Sequence, residues 1–186
     1  MRDRSFPFSR ATLTATALAA LGACSFQRGA TGAPPSPAPV QAIGPVAGFS
    51  HVKTLEDIQE YVLDANGLRV LIKPDRSAPV VTFMVTYRVG SRNEVTGTTG
   101  ATHLLEHLMF KGTDAHNDAA GTSVKQYLES VGARFNATTS MDRTNYYATI
   151  GKDHLEGYVA IEADRMRNLW LREEDRKAEM TVVRNE

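Results

Sequence analysis

The order of the segments from residue 51 to residue 186 predicts an α+β domain, with a mainly antiparallel sheet packed against helices. Two observations carry this. Runs rich in β-branched and aromatic residues are joined by hairpin-type turns around residues 61–73 and 134–150. Between and after them lie segments with helical spacing, around residues 101–110, 123–131 and 153–186. Strands joined by short turns pair antiparallel, and helices then have one face of the sheet to cover.

Each element has its own signal. Tyr61 to Asp64 and Arg69 to Lys73 flank Asn66-Gly67, the dipeptide that supplies a left-handed hairpin turn. Pro79 to Val89 is a long β-rich run, apolar enough to predict a central strand. Gly90 to Glu94 and Gly97 to Gly100 break it and lead into a helix. Leu104, Leu105, Leu108, Met109 and Phe110 make that helix apolar nearly all round, which predicts burial inside the domain. After a polar loop from Gly112 to Gly121, Ser123 to Val131 reads as a helix stopped by Gly132. Strands follow over Arg134–Thr139 and Thr144–Ile150, then helices from about Asp153 to Trp170 and from about Glu173 to the end.

The N-terminus reads differently. Arg2, Arg4 and Arg10 precede a short run of small and apolar residues, Ala11 to Ala23, so residues 1–23 read as a secretory signal peptide too short to span a membrane. Leu21-Gly-Ala-Cys24 also resembles a lipobox, which would make Cys24 the lipidated first residue of a protein held in the bacterial cell envelope, on the periplasmic side. An ordinary signal peptide cut at or after Ala23 is the other reading. Residues 24–50, rich in Ala, Pro and Gly, predict a disordered tether, leaving residues 51–186 as the folded domain. Cys24 is the only cysteine, so no disulfide forms within the chain. The 21 basic and 21 acidic residues balance, which argues against a nucleic-acid surface and places selectivity in a local site.

That site is marked by His103, Glu106 and His107, in the order H-x-x-E-H. Positions i, i+3 and i+4 share a helix face, so two imidazoles and a carboxylate converge. Two imidazoles supply half of a zinc site, and a carboxylate beside the metal can act as a general base toward water. A third protein ligand is needed, and Glu179 and Glu186, two helical turns apart on the last helix, both qualify. His51, His116 and His154 read as solvated, Arg143 and Arg165 as structural ion-pair partners, and Tyr146, Tyr147 and Trp170 as packing aromatics.

Several blocks together resemble the pitrilysin/insulinase family of zinc peptidases, the inverzincins, which include mitochondrial processing peptidase. They are Tyr87-Arg-Val-Gly-Ser-Arg-Asn-Glu94, His103-Leu-Leu-Glu-His-Leu-Met-Phe-Lys-Gly-Thr113, Asn136-Ala-Thr-Thr-Ser-Met-Asp-Arg-Thr-Asn-Tyr-Tyr147, Ala163-Asp-Arg-Met166 and Glu179 to Glu186. The resemblance covers residues 60 to 186 and implies the family's N-terminal peptidase domain. It implies that His103, His107 and Glu186 bind one Zn²⁺, that Glu106 is the general base, and that Glu179 orients a ligand without touching the metal. It also implies that Asn136 and Ala137 line a cleft where an extended peptide pairs with the sheet edge, against the plain alternative of sheet structure alone. Family members complete the cleft with a related, usually inactive second half, or with a partner subunit. The chain therefore reads as the N-terminal part of a zinc endopeptidase acting on peptides or unfolded segments, with little activity by itself. Met180 departs from the basic residue common in the family, at a position that bears no ligand. A non-catalytic peptide-binding or assembly subunit of the same fold is the competing reading.

Overall fold

A computed structural model describes residues 43–186. The expected signal peptide, the Cys24 anchor and most of the tether lie outside the described residues. Residues 49 and 50, expected in the tether, instead open strand β1 (Phe49–Leu55), because they pair with Leu63 and Val62. β2 (Ile58–Leu63) and β3 (Arg69–Ile72) form the expected hairpin, and Gly67 takes the left-handed conformation at φ 76°. These three strands make one antiparallel sheet in the order β1-β2-β3.

The second sheet holds β4 (Val80–Tyr87), β5 (Arg134–Thr139) and β6 (Thr144–Gly151), all antiparallel, in the order β4-β6-β5. This corrects the expectation that the run after Pro79 is central. β4 alternates exposed and half-buried along its whole length, whereas β6 is buried at most positions and has a partner on each side. Apolar content reported the covered face of β4 and not the number of its neighbours.

Among the described residues four α-helices follow the predicted order: α1 (Ala101–Leu108), α2 (Val124–Ser130), α3 (Leu155–Asn168) and α4 (Glu173–Val183). Ser123 caps α2 by accepting the Gln126 N–H, while the Gln126 side chain reaches back to the Ser123 N–H. α4 stops at Val183, so Glu186 is not inside a helix as the sequence suggested. The Asn185 N–H bonds the Val182 carbonyl, a tightened turn that ends the α geometry and re-aims the residues after it.

The register of the second sheet stacks three side-chain rows on one face: Phe83, Ala148 and Phe135; Val85, Tyr146 and Ala137; Tyr87, Thr144 and Thr139. The first row joins Val124, Leu128, Ile150, Tyr158 and Ile161 in the main core. The second meets Met109, and Phe110 touches both clusters, so the residues ending α1 are built into the core. α1 is less enclosed than its composition predicts. Leu104 and Leu108 are buried, but Leu105 is 42% exposed.

Leu128 is 1% exposed at the centre of this core. Leu128→Ala should therefore cost about 3 kcal/mol in urea unfolding, from lost transfer energy plus a cavity. Lys125→Ala, on the exposed side of the same helix, should change stability by less than about 0.5 kcal/mol.

Candidate metal centre

α1 is fixed at both ends by side chains outside it. Its first residue follows Gly100, whose φ of 90° suits glycine and which has no side chain to cap with. Glu94 provides the missing cap. Its Oε2 accepts the Gly100 N–H at 2.9 Å, and its Oε1 accepts the Thr102 N–H at 2.9 Å together with the Thr102 hydroxyl. These hydrogen bonds hold the Glu94 carboxyl below the usual range. The turn carrying Glu94 is itself anchored, since Ser91 and Arg92 N–H groups bond the Ser140 and Met141 carbonyls. Gly90 permits that approach, because a Cβ there would sit 2.1 Å from the Ser140 oxygen. At the other end, Arg165 donates to the Met109 carbonyl and lies 4.5 Å over the Tyr146 ring, while Glu162 holds its guanidinium through two bonds of 2.6 and 2.7 Å. Both members of that pair are buried, so each compensates the charge of the other.

With α1 so placed, the His103 and His107 rings stand edge to face, 5.0 Å between centroids. Glu186 comes to both: its Oε2 lies 3.2 Å from His103 Nε2 and 3.5 Å from His107 Nε2. One ligand atom from each of the three residues falls within 4.8 Å of the others. Ligand atoms about 2.0 to 2.2 Å from one tetrahedral centre stand roughly 3.4 Å apart, so two nitrogens and a carboxylate oxygen at these separations suit Zn²⁺ in chemistry and spacing. The Glu186 side chain is 50% exposed, which leaves the group reachable from solvent.

Glu179 stays outside this group. Its Oε2 accepts from His107 Nδ1 at 2.9 Å and its Oε1 lies 2.5 Å from Lys111 Nζ. A carboxylate can only accept, so Nδ1 carries the proton, which leaves Nε2, on the Glu186 side of the ring, as the nitrogen available to a metal. Burial by itself raises the Glu179 carboxyl, but the bonds from Lys111 and His107 outweigh it and leave the group below its usual range.

Glu106, next to His107 on α1, accepts the Thr139 hydroxyl from β5. Asn136 and Ala137 lie on β5, which has one paired neighbour among the described strands. Asn136 is exposed and its Oδ1 accepts the Ala137 N–H at 2.9 Å, whereas the Ala137 side chain is buried with Met109 and Tyr146. The Asn136 side chain thus occupies the Ala137 N–H, while the Ala137 side chain is turned into the core. His116, read as solvated, is half-buried, with Nδ1 enclosed and without a hydrogen-bond partner among the described residues. Arg165 is the structural ion-pair partner expected of it.

Sequence reasoning missed Glu94, Lys111 and Thr139. Lys111 was within reach, four residues past His107. Glu94 caps from six residues before Gly100, and Thr139 reaches from β5 to a helix 33 residues earlier, so neither carries a local signal. A cavity of about 350 Å³ lies against Thr102, Leu105 and Met109, a face of α1 different from that of the histidines.

Because the Glu94 carboxyl is held below its unfolded value, its contribution to stability is present above pH of about 4.3 and is lost as pH falls through the lower folded value. Melting temperatures should therefore fall between about pH 5 and pH 3 in the wild type, and by less over the same interval in Glu94→Gln. Equal slopes for the two would contradict the cap.

The chain is similar to known proteins along most of the described length. It is 32% identical over 141 residues to the probable mitochondrial-processing peptidase subunit beta of Arabidopsis thaliana, covering 76% of this chain and 26% of that protein. It is 36% identical over 137 residues to the zinc protease PqqE of Helicobacter pylori, covering 73% and 30%. Its fold matches the crystal structure of a protease from Helicobacter pylori with a TM-score of 0.61 at 35% identity, over 67% of this chain and 29% of the other. The chain thus spans less than a third of the length of the relatives it matches. The family model described as Insulinase (Peptidase family M16) matches residues 69–186, and the chain belongs to that peptidase family.

Proposed function

We propose that the chain carries the metal-binding and general-base half of a zinc endopeptidase cleft. The convergence of His103, His107 and Glu186 beside Glu106 carries this reading. Zinc bound by those three residues would supply Lewis-acid charge to the scissile carbonyl and to the attacking water. Glu106 takes the proton from that water and returns it to the leaving amine. Glu179 orients His107 through Nδ1 and contributes no ligand.

The substrate is a peptide or unfolded segment, laid along the open edge of β5 at Asn136 and Ala137. A second half, covalent or separate, closes over the cleft and supplies the remaining contacts; the short share of each relative that the chain spans supports this. Attachment to the bacterial envelope through a lipidated Cys24 rests on the sequence of residues 1–24 alone. The competing non-catalytic role has less support, because such a subunit has no need of a base and three ligands at one point.

In the peptidase assembled with its second half, Glu106→Gln should keep its zinc and lose peptide hydrolysis by about 10²-fold or more. His103→Ala should lose zinc and turnover together. Zinc content and initial rates on an unstructured peptide read both, and near-normal rates in Glu106→Gln would contradict the general-base role.

A further inference from the structure

Thr139 ends β5 in the row that places it beside Thr144 and Tyr87, on the face of the sheet covered by helices. Its hydroxyl bonds Glu106 Oε2 and lies 3.5 Å from the Thr144 hydroxyl, which is 3.0 Å from the Val89 carbonyl. The protons in this row can be placed by counting. The Val89 carbonyl and the Glu106 carboxylate have none to give, and each threonine has one. Thr144 therefore donates to Val89, and Thr139 donates to Glu106, with Thr144 too far away to compete for that proton. Thr144 is 6% exposed, so the row is closed to water behind Thr139.

We propose that Thr139 is a positioning residue for the general base: its hydroxyl holds Oε2 of Glu106 and so leaves Oε1 to receive and return the proton. This rests on the peptidase reading above. A carboxylate with both oxygens free samples other rotamers, whereas one oxygen tied to the sheet sets the direction of the other. Thr139 touches neither histidine nor Glu186 among the contacts that build the site, so its effect is on the rate of proton transfer and not on zinc.

Two measurements test it. In the assembled peptidase, Thr139→Val should lower kcat about tenfold, leave KM within about twofold and keep full zinc, while Thr139→Ser should restore most of kcat. In the Glu106→Gln background, the valine substitution should produce no further loss. Unchanged kcat in Thr139→Val, failure of serine to restore it, or an equal loss in both backgrounds overturns the proposal. The second measurement needs no turnover: in urea unfolding of the chain, Thr139→Val should shift the midpoint differently in wild type and in Glu106→Ala, since the two side chains are coupled. Identical shifts overturn the proposal even if the peptidase reading holds. Absence of zinc and turnover in the wild type overturns that reading itself, and the proposed role with it.

Discussion

Glu179 joins two helices that the chain keeps far apart. One oxygen accepts from His107 on α1, 72 residues earlier, and the other lies against Lys111 just past the end of that helix. With α4 fastened there, the turn beyond Val183 delivers Glu186 to the two imidazoles. The charge balance follows the same contact. Lys111 and the Nδ1–H of His107 offset the Glu179 carboxylate, while the group around Glu186 opens to solvent.

The fastening depends on α1 being held at both ends. Glu94 supplies the N-terminal cap that Gly100 lacks, and the Glu162–Arg165 pair meets the Met109 carbonyl at the other end. Phe110 ties the next residue into both hydrophobic clusters. The buried pair adds little net stability, since desolvation consumes much of its attraction, but losing one partner would strand a charge beneath Tyr146. It acts mainly to define one position for the helix that carries the histidines.

Much of this was legible in the sequence because periodicity and turn chemistry are local. Asn66-Gly67 marked the β2–β3 hairpin, Ser123 and Gly132 bounded α2, and the i, i+3, i+4 spacing put His103, Glu106 and His107 on one face. Contacts across the fold were not legible. The apolar run of β4 could not say that it has one neighbour and β6 two, and the helical spacing of Glu179 and Glu186 hid the turn that separates their roles. Local pattern narrowed the third ligand to two glutamates, and the family resemblance favoured Glu186. The fold separates the pair by geometry, with Glu179 against Nδ1 of His107 and Glu186 against Nε2 of both histidines.

Zinc per chain tests that division between the two glutamates most directly. Elemental analysis of the purified chain beside its Glu186→Ala variant should find close to one zinc in the first and a clear loss in the second, with both folded by circular dichroism. A folded wild-type chain without zinc, or a Glu186→Ala variant that holds zinc as tightly, would contradict the assignment of His103, His107 and Glu186 as the metal-binding group.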